Sequence, residues 1–214
     1  MLRMPSDWDD WVHRHPARRP RDFSFRWYYP RRALEWAPAE GKQFSELIVS
    51  LKHRDIAAFR LFREVLERSW PTEDPSTCAI ACAPRHSAAL PNVLSDLCWK
   101  LGQARGVVDL GENLVRAFDV EAHADRDSTD SQEQLDSIEF RGAVPQSVRE
   151  ILILDDVRTS GATLNACRAH AEQAAPRARV LTLAFGKNQR TGETPFPRRP
   201  NFEEILRRNL EAYR

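Results

Sequence analysis

ILILDDVRTSGATLNAC (151–167) sets four aliphatic residues directly before two adjacent aspartates, and a Thr/Ser/Gly turn follows. A short aliphatic run ending in charge reads as a buried strand, here 150–154, and the residues after Gly161 read as a helix over 161–174. Working outward, ARVLTLAFG (178–186) is a second buried strand, and TCAIACA (77–83) supplies a third. NVLSDLCWKLGQARG (92–106) is a helix that ends at a glycine, as helices often do. VVDL (107–110) and IEFRGAV (138–144) are further strand candidates. Strands and helices that alternate, with continuous aliphatic strands, predict an α/β fold: a parallel sheet of about five strands flanked by helices. Ligands of such sheets bind at the carboxyl ends of the strands, where Asp155 and Asp156 stand.

The turn has a chemistry of its own. A helix N-terminus offers unpaired amides and a partial positive charge. RTSGAT (158–163) adds the hydroxyls of Thr159, Ser160 and Thr163, and Gly161 lets the backbone come close. The result is a cup for a phosphate. Two carboxylates beside such a cup repel the anion itself. They suit a partner that donates, such as the vicinal hydroxyls of a ribose, or a Mg²⁺ ion held directly or through water. Other readings of this stretch fail on residues. An Asp-x-Asp nucleophile motif is broken by Val157, and no Gly-Lys-Ser/Thr triplet of a Walker A loop occurs.

Four hydrophobic residues, two acids and a Thr/Ser/Gly turn closely resemble the PRPP-binding signature of the type I phosphoribosyltransferases. SLKHRD (50–55) and ACAPRHS (81–87) are similar to stretches of the ComF-like branch, so the likeness covers residues 44–186. It departs in two places: no cysteine precedes Cys78, so the zinc ribbon of that branch is missing, and ALPNVLSDL replaces the usual stretch after the loop. The resemblance implies a phosphoribosyltransferase-like domain over 42–186. Asp155 and Asp156 would be the catalytic acids, holding ribose hydroxyls and Mg²⁺. Arg158, Thr159, Ser160, Gly161, Ala162 and Thr163 would hold the 5-phosphate. The loop Ala83–Ser87, chiefly Arg85, His86 and Ser87, would meet the pyrophosphate together with Lys52. Enzymes acting on 6-oxopurines usually carry a carboxylate where this chain has Thr159, which argues against hypoxanthine or guanine as acceptor and leaves no general base in view.

The rest of the chain bounds these expectations. KQFSELIVSLKHRDIAAFRLFREVLERSW (42–70) has helical periodicity with a shift near His53–Asp55, and fits one kinked helix or two. DVEAHADRDSTDSQEQLDS (119–137) is polar and acidic and reads as a long exposed loop, in the place of the family's flexible catalytic loop; simple disorder fits equally. Residues 1–41 form an irregular arm or hood, with four of the six tryptophans, a crowd of arginines and prolines that preclude a long helix. The arm is either aromatic docking onto the main domain or a surface for nucleic acid. Residues 187–214 are a coil tail and a C-terminal helix capped by Asn201. Net charge is +1, which demands no acidic partner. No run of about 18 apolar residues or signal-peptide core occurs, so a cytoplasmic protein without a membrane segment is expected. Cys78, Cys82, Cys98 and Cys167 form no CxxC pair and read as buried thiols.

The expected function is transfer of ribose 5-phosphate from PRPP to an unknown nitrogenous acceptor with release of pyrophosphate, a homodimer being allowed for. The alternative is a PRPP or nucleotide sensor without catalysis, or a DNA-handling accessory of the ComF type.

Overall fold

The computed structural model describes residues 22–30, 33–35, 37–68, 74–87, 91–119 and 131–188. Most of the N-terminal Trp/Arg segment, the middle of the acidic stretch 119–137 and the expected C-terminal helix lie outside the described residues.

The elements in chain order are β1 (Asp22–Tyr28), α1 (Ala39–Lys52), α2 (Ile56–Arg68), β2 (Cys78–Cys82), α3 (Val93–Arg105), β3 (Val108–Leu110), β4 (Leu114–Arg116), α4 (Ser131–Ser137), β5 (Ile138–Phe140), β6 (Glu150–Arg158), α5 (Ala162–Ala174) and β7 (Arg179–Asn188). Five strands make one sheet in the order β1-β7-β6-β2-β3, every pair parallel. β4 and β5 form a separate antiparallel pair.

β6 occupies the centre because it can be buried on both faces. Ile151, Leu152, Ile153 and Leu154 are all buried, and alternate residues enter different cores. Leu152 and Leu154 join Ile80, Cys82, Leu183 and Phe185 under α1, α2 and α3. Ile151 and Ile153 join Ala79, Ala81 and Val180 under α5 and the β4–β5 pair. The molecule is therefore layered helix, sheet, helix. On the α1–α2 side, Phe62 stacks on Phe185 at 4.5 Å and meets Phe44 edge-on at 6.2 Å.

Local chemistry sets the helix limits. The 42–70 periodicity resolves into two helices. Arg54 takes a left-handed φ of 62°, and the Asp55 carboxylate accepts the Ala58 amide at 2.8 Å to start α2. Asn92 caps α3 through the Leu94 amide, and Gly106 ends it at φ 71°. All four cysteines are free and buried.

The structure departs from the sequence reading in four places. Residues 22–28, within the expected irregular arm, are an edge strand pairing with β7 from Asp22↔Thr182 to Tyr28↔Asn188. The end of the expected acidic loop, 131–137, is helix α4, with Gln134 and Ser137 buried. β4 was unforeseen. β6 runs past Leu154 through both aspartates to Arg158, because β7 continues to pair with it as far as Arg158↔Lys187. No helix among the described residues is long and apolar enough to cross a membrane.

Phe185→Ala is expected to lose about 3–5 kcal/mol of stability in urea unfolding. Val49→Ala, on the exposed face of α1, should change it by no more than about 0.5 kcal/mol.

Candidate functional site at the carboxyl end of the sheet

Parallel pairing brings the ends of β2, β6 and β7 side by side. Cys82 is opposite Leu154, and the Ala83 amide donates to Leu154 O at 2.7 Å, so the loop 83–87 leaves the sheet next to Asp155. Lys52, the last residue of α1, reaches the same end: its Nζ lies 3.2 Å from Asp156 Oδ1. The turn 159–161 and the start of α5 follow directly.

The two aspartates do not share one environment. Successive strand residues face opposite ways. Asp156 turns to the α1 layer and Lys52. Asp155 is felt by Arg116 and Cys167, which belong to the other layer. Burial, and then repulsion from Asp156, push the Asp155 carboxyl up to about 8; the Asp156 amide, donating to Asp155 Oδ1 at 2.8 Å, opposes this, as do Lys52 and Arg116. Burial pulls the Lys52 ammonium down, but attraction and hydrogen bonding to Asp156 outweigh it, leaving its pKa raised.

At the turn, Gly161 caps α5 with φ 88°. A Cβ there would stand 2.8 Å from Arg158 Nε, so the Arg158 guanidinium lies over the turn. The Ala162 amide donates to Ser160 Oγ at 3.3 Å, and the first helical bond of α5 runs from the Asn165 amide to Gly161 O. The amides of Thr163 and Leu164 precede that ladder, as at any helix N-terminus. The Thr163 hydroxyl, expected to face a phosphate, donates instead to Gln134 Oε1 at 3.1 Å.

In the loop after β2, Arg85 donates from Nη1 to Pro91 O at 3.0 Å, His86 is exposed, and Ser87 Oγ donates to Asp119 at 3.0 Å. The structure thus gathers Asp155, Asp156, Lys52, Arg158, the turn and the loop at one end of the sheet. It points Lys52 at an aspartate, and it folds Arg85 back along its own loop.

Sequence reasoning missed Arg116. Its side chain is 7% exposed. Nε donates to Arg85 O at 3.1 Å, Nη1 to Ser137 Oγ, and Nη2 to Gln134 Oε1 at 2.7 Å. Burial lowers its pKa, against attraction from Cys167, Asp155 and Glu133. Leu114 and Arg116 share the buried face of β4, a three-residue strand too short for its alternation to be read in the sequence. Cys167, in the same neighbourhood, is pushed well up by burial and by Asp155, so it is a neutral thiol and no nucleophile.

Among the described residues no cluster of three or more His, Cys, Asp or Glu makes a protein metal cage. Because Asp155 and Asp156 turn to opposite layers, a Mg²⁺ here would take one of these carboxylates and complete its shell with water and ligand phosphates.

No family model matches the sequence, and no curated protein matches it. Among solved structures, an adenine phosphoribosyltransferase from Saccharomyces cerevisiae, complexed with an imino-altritol bisphosphate and adenine, is similar at 17% identity. That likeness has a TM-score of 0.40 over 64% of this chain and 72% of that one. A xanthine-guanine-hypoxanthine phosphoribosyltransferase from Helicobacter pylori is similar at 14% identity and TM-score 0.37, over 91% of this chain and 99% of that one.

The Asp155 carboxyl predicts a pH effect. A folded-state pKa raised to about 8, against 3.8 ordinarily, means the native state holds a proton the unfolded chain has lost. Asp155 therefore favours folding most below pH 4, and that contribution falls as pH rises towards 8, by at most about 1.4 kcal/mol per pH unit. In urea unfolding, Asp155→Asn should gain stability over the wild type, and gain more at pH 8 than at pH 5. An equal difference at both pH values would contradict the shift.

Proposed function

We propose that this protein binds PRPP at the carboxyl end of the sheet and transfers its ribose 5-phosphate to a nitrogenous acceptor, releasing pyrophosphate. The observation that carries the reading is the convergence, at the carboxyl end of β6, of an acidic pair with a glycine-capped helix N-terminus overlaid by an arginine. An anion cup beside carboxylate acceptors matches a sugar phosphate better than a free phosphate. The type I phosphoribosyltransferase signature and its ComF-like variant belong to the same proposal, on the sequence motifs that suggested them.

In this scheme the turn 158–163 anchors the 5-phosphate, and charge-assisted bonds of this kind contribute about 1.5–3 kcal/mol each. Asp156, already held by Lys52, accepts from a ribose hydroxyl, and Asp155 accepts or donates according to its proton. The acceptor nitrogen bonds to the anomeric carbon as the carbon–oxygen bond to pyrophosphate breaks. Pyrophosphate leaves with the bonding electron pair. The proton released from the acceptor nitrogen passes to the leaving group or to solvent, since Thr159 offers no base. The loop 83–87 and Lys52 stabilise negative charge on the leaving group. Mg²⁺, when bound, would neutralise part of the pyrophosphate charge.

Calorimetric titration with PRPP, with and without Mg²⁺, tests the binding step. The wild type is expected to bind with a Mg²⁺-dependent affinity, and Asp155→Asn/Asp156→Asn to weaken binding about 100-fold or more. No heat from a folded wild type would remove the proposal. Pyrophosphate release over a panel of nitrogenous bases then separates transfer from binding alone.

A further inference from the structure

Arg116 is the one charged side chain in the buried set among the described residues. Burying a guanidinium is costly unless its donors are met. Here every nitrogen is met by a neutral oxygen, and the three oxygens come from two separate segments. Arg85 O belongs to the loop after β2; Gln134 Oε1 and Ser137 Oγ belong to α4. Gln134 Oε1 also accepts from Thr163 Oγ1, at the first turn of α5. Ser137 Oγ donates to Gln134 O at 3.0 Å, and the Ala117 amide to Ser137 O at 2.8 Å, so α4 is tied to the strand that carries Arg116. Arg116 thus joins the loop after β2 to α4, and Gln134 carries the chain of bonds on to the first turn of α5.

We propose that Arg116 is a positioning residue that fixes the spacing between the loop 83–87 and the turn 159–163, and with it the distance at which the site takes the two phosphate-bearing ends of one ligand. The inference rests on the PRPP reading for its ligand, but not for its geometry. A planar guanidinium can hold three acceptors in fixed directions at once; an ammonium on a flexible stem cannot. Arg116→Lys therefore keeps the charge and gives up the spacing.

The test compares PRPP, which needs both segments, with ribose 5-phosphate, which needs the turn and the acids. In Arg116→Lys, PRPP affinity should fall about 10-fold or more while ribose 5-phosphate changes less than about threefold. Hydrogen exchange of the Arg85–Ser87 amides should quicken about 10-fold, with the β6 amides unchanged. A parallel fall in both ligands, or unchanged exchange in the loop, would overturn the proposal. Gln134→Met, which leaves the Arg116–Arg85 bond in place, provides the second arm should Arg116→Lys not fold. It should weaken both ligands together and leave loop exchange as in the wild type; faster loop exchange there would also contradict the assignment. If the wild type binds no PRPP, the functional reading fails, and the exchange measurement alone decides the role of Arg116.

Discussion

The parallel pairing of β6 between β2 and β7 is the constraint on which the rest depends. A strand flanked on both edges and covered on both faces must be aliphatic through its length, and Ile151–Leu154 meets that demand. Parallel pairing also forces the chain to leave every strand at the same end. The loop after β2 and the turn after β6 are therefore brought to the same end of the sheet, where the bonds around Arg116 can link them. The acids sit where the aliphatic run stops, still paired to β7 but no longer sealed from above.

Alternation along that strand then divides the two acids. A pair of adjacent carboxylates in one pocket would carry their full mutual repulsion. Facing opposite layers, the two acids meet cations from both sides: Lys52 from α1 pairs with Asp156 and also acts on Asp155, and Arg116 from the β4–β5 layer acts on Asp155. The Lys52–Asp156 pair is partly exposed and adds at most about 1 kcal/mol to stability. Its value is local: it pairs one carboxylate with a cation beside a second whose pKa burial and repulsion raise. Arg116 is met wholly by neutral oxygens. Its charge is left to act on its surroundings, including Asp155.

Strands β2, β6 and β7 and helices α3 and α5 were legible in the sequence because each carries a continuous aliphatic run or a cap. Asn92, Gly106 and Gly161 mark helix ends by local chemistry that tertiary packing does not override. β1 was hidden because DFSFRWY lies among prolines and arginines, and its strand character is completed by pairing with β7. α4 was hidden because its buried face is made of Gln134 and Ser137, polar residues whose burial makes sense only once Arg116 is opposite them. The same holds for the site. Asp155, Asp156 and the turn are contiguous, and a motif finds them. Arg116 reaches the site through hydrogen bonds to residues 31 and 18 positions away, which no local pattern encodes.

The phosphorus NMR spectrum of PRPP, recorded as the protein is added in the presence of Mg²⁺, tests the central claim most directly. If the turn and the loop take the two ends of one ligand, the 5-phosphate and pyrophosphate resonances should shift or broaden together and saturate at the same protein concentration. Perturbation of the pyrophosphate alone, or of neither, would contradict a site built from the 158–163 turn and the acids beside it.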